Sequence, residues 1–317
     1  MNAARDSTPV ILVFGGGGQL GRALAESGQS SSTEAVVVVL ERSAADITNA
    51  DDVMRVFEKF RPAVVINAAA YTAVDAAESH EAMAFRSNAM GPHNLALACA
   101  GAHIPLLHVS TDYVFPGTGE VPWSPADPIA PVNAYGRSKL AGEWAVQAAH
   151  RHSYIFRTSW VFSPWGNNFV KSMLRLGAAR AELAIVNDQH GCPTYALDLA
   201  ATLLKIAAGL LQGQSFTPGI YHFSNTGATT WFDFANAVFE IAARSGYVRP
   251  RLRPITTAEY PSPAARPQWS VLDCRATIRH FGLTIPAWRD ALQRCMDRLA
   301  KEGYKSSPLT NSESLNH

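Results

Sequence analysis

No long hydrophobic run interrupts this sequence. Its longest aliphatic stretch, AVVVVL from Ala35, is six residues, far short of the roughly 20 that a membrane-spanning helix needs. The opening MNAARDSTPV carries no apolar core of the kind that an export signal uses. An excess of charge is missing too. Twenty-seven Lys and Arg stand against 26 Asp and Glu, a net charge of +1 with no basic cluster. That balance argues against nucleic acid or an anionic membrane as the main partner, and a small molecule becomes the expected one. Cysteine is scarce and scattered. Cys99, Cys192, Cys274 and Cys295 form no CxxC pair and show no Cys/His spacing of a structural zinc site. Reduced thiols in a cytoplasmic protein are the expectation. Internal repeats and low-complexity segments are also lacking.

What is present is enough apolar residue, 47% of 317, to build a full core in one large unit and one smaller one. Short apolar runs alternate with helical patterns: VILVF at Val10, AVVVVL at Ala35, AVVIN at Ala63, PLLHVS at Pro105, YIFRTSW at Tyr154 and LAIVN at Leu183. Continuous apolar strands are buried on both faces, as in a parallel sheet. Between them, NADDVMRVFEKF offers an Asn cap, an acidic first turn and a basic end. The rhythm predicts an α/β protein with a Rossmann-like doubly wound parallel sheet. After Leu183 it loosens into shorter strands such as GIYHFS at Gly219, expected in a smaller, partly interleaved C-terminal substrate domain. The expected division is 1–160 for the sheet domain, 161–304 mainly for the substrate, with some segments returning to the sheet, and 305–317 as a polar, mobile tail. A last amphipathic helix is expected at Trp288–Lys301.

VFGGGGQLG joins the first strand to the first helix. Glycines there allow a tight turn and close approach of a pyrophosphate to helix N–H groups. The position, directly after the first strand, fits a dinucleotide-binding fingerprint built from Gly15, Gly18, Gln19, Leu20 and Gly21. Glu41 ends the second strand, where an acid would bind ribose hydroxyls and favour NADH. Its neighbour Arg42 could instead pair with a 2'-phosphate and accept NADPH, and both options stand open. Asp46 and Ile47 are expected around the adenine. Ala69, Ala70, Tyr71 and Thr72 follow the third strand, at the edge where open α/β sheets bind ligands. Asp75 and Glu78 are expected to cap a helix or face solvent.

The fourth strand ends in Ser110, Thr111, Asp112 and Tyr113, and NAYGRSK follows at the next helix. Tyr135 and Lys139 are four residues apart and so share a helical face. A hydroxyl, a phenol and an ammonium converging beside a dinucleotide can deliver a proton to a developing alkoxide. A Ser/Thr, Tyr and Lys set after a glycine-loop strand resembles the extended short-chain dehydrogenase/reductase family. Within it, GQLG, NAAAYTAVDAAE, STDYVFPG, PVNAYGRSKLAGE, FRTSWVF, GNNFVKSMLRL, VNDQHGCPT and ARPQWSVLD occur in the order found in the dTDP-4-dehydrorhamnose reductases, over nearly the whole chain.

That resemblance implies reduction of dTDP-4-dehydro-β-L-rhamnose by NADPH, with NADH as a second donor. It implies Tyr135 as proton donor, Lys139 as holder of the nicotinamide ribose that also lowers the phenol pKa, and Thr111 on the reacting oxygen. It further implies sugar-nucleotide contacts from Asp112, Trp160, Asp188, Gln189 and Arg266, the last as a diphosphate clamp, with Thr194 capping the next helix and His190 structural. Some family members are bridged into dimers by a divalent metal on glutamates. Here the matching positions read Arg22 and Leu197, so a monomer or metal-free homodimer without Mg²⁺ is expected. Two rivals share the pattern: a sugar-nucleotide epimerase or dehydratase, and an NADP-binding regulatory subunit like that of methionine adenosyltransferase.

Overall fold

The computed structural model describes residues 8–30 and 34–304. The tail expected at 305–317 lies outside the described residues. Five strands open the chain: β1 (Val10–Phe14), β2 (Val36–Leu40), β3 (Val64–Asn67), β4 (Leu106–Thr111) and β5 (Ser153–Thr158). Seven more follow: β6 (Val161–Phe162), β7 (Glu182–Val186), β8 (His190–Gly191), β9 (Thr194–Tyr195), β10 (Gly219–His222), β11 (Thr229–Thr230) and β12 (Arg251–Ile255). The helices between the first five strands are α1 (Gln19–Ser30), α2 (Ala50–Phe60), α3 (Val74–Ser79), α4 (Glu81–Phe85), α5 (Gly91–Ala102) and α6 (Ala134–Ala149). Beyond β5 lie α7 (Phe169–Ala179), α8 (Ala196–Leu211), α9 (Trp231–Arg244), α10 (Arg275–Phe281) and α11 (Trp288–Lys301).

The central sheet has six strands in the order β10-β5-β4-β3-β1-β2, and every pairing is parallel. Alternate side chains of β1 leave on opposite faces. Ile11 and Val13 pack into a core shared with α1 and α8, and Leu12 and Phe14 into one shared with α2 and α5. Helices on both faces of a parallel sheet make the doubly wound architecture that the strand rhythm predicts. The cap on α2 is also as expected: Asn49 accepts the Asp51 N–H at 3.0 Å, Asp51 and Asp52 fill the first turn, and Lys59 the last.

Two strand assignments differ from the sequence expectation. The run at Leu183 does not join the central sheet; as β7 it pairs with β12 in a separate two-stranded ribbon. The sixth central strand is instead β10, which pairs with β5. An apolar run signals burial without naming its partner, and β7 buries Leu183, Ile185 and Val186 under α7 and α9 in a third core. The same core holds α11, which runs from Trp288 to Lys301 as expected. The Thr194 cap is also corrected. Tyr195 is the N-cap of α8, without a side-chain cap bond, and Thr194 sits in β9, its hydroxyl 3.4 Å from that of Thr158.

No helix among the described residues is long and apolar enough to cross a membrane. The fold places three chain reversals at one sheet edge: the turns after β1, β3 and β4. β1 pairs with both β2 and β3, so the strand order switches direction at the glycine turn, where open α/β sheets form a ligand crevice.

Candidate active site

The glycine turn is built by close approach. Gly15 has φ +98°, and a Cβ there would lie 2.6 Å from the backbone of Ala68 and Ala69. The amides of Gly15 and Gly16 donate to the Leu40 carbonyl at 3.1 and 2.9 Å. A Cβ on Gly21 would overlap the Gly15 carbonyl, so the first turn of α1 lies directly on the loop, whereas Gly17 has open space beside it. Above this turn is a cleft of about 240 Å³. Of the residues expected to bind cofactor, Gly15, Gly18, Arg42, Asp46, Ile47, Ala69, Ala70 and Tyr71 line it. Glycines with no room for a Cβ, open space above them and a helix N-terminus alongside fit a dinucleotide diphosphate.

The other expected cofactor residues are placed differently. Gln19 donates to the Val161 carbonyl at 3.3 Å and accepts from Ser163 and Asn168, tying the loop to the segment after β5. Leu20 is buried in the core. Glu41 is exposed, and its carbonyl closes a turn by accepting from Ala44 and Ala45. Thr72 is exposed just beyond Tyr71. Arg42 turns back on Asp46, donating from Nε and NH2 at 3.0 and 2.9 Å. Thr48 and Ser87 also line the cleft, and no sequence pattern marked them.

Asn133 starts α6 by accepting the Gly136 N–H at 2.8 Å, and Glu78 accepts that of Ala134 at 2.8 Å, a capping role. This sets Tyr135 and Lys139 against the end of β4. The Lys139 ammonium donates to the Val109 carbonyl at 2.7 Å, and Thr111 ends β4 on the Tyr135 side, close enough to favour the ionised phenol. Thr111 also donates to Asp112 at 3.0 Å. Tyr113 packs edge-on against the Tyr135 ring, centroids 5.6 Å apart. Behind α6, a π-helical turn at Arg86–Met90 brings Asn88 to both backbone groups of Tyr71, joining the cofactor cleft to the Tyr135 helix through Ser138.

Burial dominates the protonation of this group. It pushes the Tyr135 phenol up to about 12, with Thr111 pulling the other way. It brings Lys139 down to about 8 against the opposing charge of Glu143. It raises Asp112 to about 7, and holds His108 well below its ordinary range, with the Lys139 charge adding to the effect. In this geometry burial, rather than the Lys139 charge, dominates the phenol, and the ammonium gives one of its three N–H groups to the Val109 carbonyl.

The expected sugar residues fall into two groups. Asp112 is 1% exposed, directly under the Thr111–Tyr135 pair. Gln189 and Arg266 line an apolar slot instead, and Trp160 reaches it only through Trp231, on which it stacks. Trp160 has φ +46°, strained for a bulky residue, and its ring stacks on Trp231 with centroids 3.5 Å apart. Gln189 accepts from the Trp231 indole at 3.2 Å and donates to Thr257 at 3.1 Å. With Phe169, Trp231, Tyr260 and Arg266 it lines the slot. Arg266 is paired with Asp75 at 2.9 Å, both side chains largely buried, which replaces the solvent-facing or capping role expected of Asp75. Asp188 is held by the amide and hydroxyl of Thr257. His190 packs 5.4 Å from the Trp269 ring. Trp231, Phe169 and Tyr260 were missed because each reads as ordinary core or loop.

A doubly wound sheet with a glycine turn and a Thr-Tyr-Lys group on one edge defines a protein of the short-chain dehydrogenase/reductase class. Comparison with known proteins narrows this. The family model described as the RmlD substrate binding domain matches residues 9–301. A dTDP-4-dehydrorhamnose reductase of Aggregatibacter actinomycetemcomitans is 42% identical, the alignment covering 89% of this chain and 97% of that protein. The Escherichia coli K12 protein of the same name is 40% identical, over 91% and 97%. The crystal structure of the Bacillus anthracis dTDP-4-dehydrorhamnose reductase in complex with NADP superposes with a TM-score of 0.84 at 37% identity, over 92% of this chain and all of that one. The chain belongs to the dTDP-4-dehydrorhamnose reductase family.

The indole stack depends on a glycine. A Cβ on Gly191 would overlap the Trp160 ring, so Gly191→Ala must displace it from Trp231. The expected outcome is loss of the coupled-indole signal in circular dichroism, with the helical signal kept. An unchanged couplet would show that the stack does not need Gly191.

Proposed function

We propose that this protein reduces dTDP-4-dehydro-β-L-rhamnose to dTDP-β-L-rhamnose with a nicotinamide cofactor, the last step in making that activated sugar. The observation that carries the reading is the convergence of Thr111, Tyr135 and Lys139 on the sheet edge that holds the glycine cleft. The names of its relatives support the substrate. In the proposed division of labour, residues 1–160 hold the dinucleotide, and 161–304, apart from the segments that return to the central sheet, mainly bind the sugar nucleotide.

A bound reduced nicotinamide supplies hydride to the C4 carbonyl. Tyr135 gives its proton to the alkoxide that forms there. Burial keeps the phenol protonated, as an acid must be before it donates. Thr111 bonds to the same oxygen and keeps Tyr135 in reach of it. Lys139 presents its ammonium to the nicotinamide ribose and compensates developing negative charge. Asp112 lies under Thr111 and orients it toward the sugar. Trp160, with Trp231 behind it, offers an indole face to the deoxysugar. Gln189 and Asp188 order the loop beside it, and Arg266 meets the diphosphate with a guanidinium held in place by Asp75. Arg42 on the cleft wall and Glu41 turned away from it favour NADPH, with NADH accepted more weakly.

Among the described residues no group of three or more His, Cys, Asp or Glu is placed to hold a metal. Arg22 and Leu197 stand at the two positions where the family resemblance would have placed bridging glutamates, and Asp198 nearby is paired with Arg294 at 2.7 Å. We therefore propose a monomer or metal-free homodimer; full turnover in excess chelator is expected, and loss of activity restored by Mg²⁺ would overturn it.

The assay is oxidation of NADPH and NADH with the dTDP-4-keto sugar. Tyr135→Phe is expected to lose about 10²–10⁴-fold in turnover while cofactor affinity stays at the wild-type value; near wild-type turnover would remove Tyr135 from the mechanism. The pH profile follows from Lys139. A lysine brought down to about 8 is charged below that pH and loses its charge as pH rises through it. The reductive kcat/KM is expected to fall tenfold per unit above pH 8 as Lys139 loses its charge, the phenol staying protonated through that limb. A limb near 10, the ordinary lysine range, would contradict this.

A further inference from the structure

Two consecutive residues of β4 grip α6. The Val109 carbonyl accepts from Lys139 and the Ser110 hydroxyl donates to Glu143 at 2.5 Å, while Thr111, next along the strand, stands on the Tyr135 side. Positions 135, 139 and 143 are each four apart and so fall on one helical face. Two of the three have a place in the proposed reaction, and Glu143 has none. Yet Glu143 is 1% exposed, and its carboxylate takes two N–H groups of Arg157 on β5, at 2.9 and 2.7 Å, beside the Ser110 bond. A carboxylate that deep costs several kcal/mol unless it is paired and fully hydrogen-bonded.

Its setting points to a task. Lys139 is 2% exposed and the group its ammonium touches, the Val109 carbonyl, is neutral. Other charged groups around α6 are occupied. Arg157 is clasped by Glu143 itself, Glu78 on α3 by the Ala134 amide, and Glu81 on α4 by Arg137 at 2.8 Å. On β4 and the turn after it stand His108, kept uncharged by burial, Asp112 on the Thr111 side, and Tyr113 against the Tyr135 ring.

We infer that Glu143 is a positioning residue of the reduction, holding Lys139 charged and in register with β4 from one helical turn away. The inference rests on the reductase reading of Tyr135 and Lys139. Through Ser110 and Arg157 the same carboxylate locks α6 to β4 and β5, so the charge stays fixed relative to the catalytic edge. The opposing effect of the Glu143 charge on the buried ammonium agrees with this.

The test reads Lys139 directly, in cofactor-free protein carrying [¹³C]lysine, with the resonance assigned by Lys139→Arg. The wild-type ammonium should titrate near pH 8. In Glu143→Gln the midpoint should fall by about one unit, the low end of what an adjacent opposite charge supplies. The alkaline limb of kcat/KM should move with it, giving about a fivefold loss at pH 8 and almost none at pH 6. Glu143→Asp, which keeps the charge on a shorter arm, should keep the midpoint and lose kcat at every pH. Because Glu143→Gln strands a buried Arg157, the paired variant Glu143→Gln/Arg157→Met repeats the measurement without a lone cation; thermal melts report that each is folded. An unchanged Lys139 midpoint in the folded paired variant, or a rate loss equal at all pH in Glu143→Gln, overturns the proposal. A shifted midpoint in a protein that never turns over the sugar nucleotide would instead overturn the reductase reading and leave the hold on Lys139 standing.

Discussion

Everything at the catalytic edge depends on burying charge under α6. Lys139, Glu143 and Arg157 are each 2% exposed or less, and in a low-dielectric interior such groups are tolerable only with their partners in place. That requirement fixes three elements at once. Arg157 must leave β5 toward α6, Ser110 must end β4 beside it, and the helix must approach closely enough for Glu143 to meet both. The close approach is visible on the other side of the helix. A Cβ on Gly142 would overlap the carbonyl of Asn88, so α6 lies directly on the π-helical turn whose asparagine holds Tyr71. The cation stacks over the Phe115 ring at 5.0 Å, which extends the same constraint into the loop after β4.

With that edge rigid, the two binding features acquire fixed positions relative to it. The glycine turn belongs to β1, two strands from β4 in the sheet order, and Asn88 links the Tyr71 end of the cleft to Ser138 in α6. The aromatic slot belongs to another core, that of α7, α9 and α11. Its connection to the glycine turn is Gln19, bonded to Val161, Ser163 and Asn168. The glycine cleft and the aromatic slot, on separate cores, are thereby tied by side-chain amides, and Arg298 of α11 adds an ion pair to Glu26 of α1.

Local features were legible in the sequence and long-range ones were not. The glycine turn, the Asn49 cap and the Tyr135–Lys139 face each lie within a dozen residues, and each matches the structure because local backbone geometry dictates it. LAIVN at Leu183 looked like a central strand because apolar composition reports burial on two faces, whichever sheet supplies it. GIYHFS, half as apolar, took that place because β5 had an open edge. Asp75 and Arg266 are 191 residues apart in the chain, and nothing in either neighbourhood announces the pairing. Trp231 follows its capping Thr230 as any amphipathic helix might begin. Its role as the floor under Trp160 exists only once Gly191 has made room for the indole.

The protonation states argue for a division of work between the two partners of the NAYGRSK segment. Sequence spacing suggested one mechanism, an ammonium that drags the phenol toward neutrality. The interior does the opposite, because an ionised phenol loses more to burial than a neutral one. A phenol raised to about 12 is a weaker acid than water-exposed tyrosine, yet a far stronger one than the alcohol that forms when it protonates the alkoxide. It therefore suits reduction, in which a proton is given, better than oxidation, in which it must first be removed. Lys139 then acts less on the ground-state tyrosine than on charge that appears during the reaction, and the carboxylate of Glu143 keeps that ammonium ready while the reacting edge is dry.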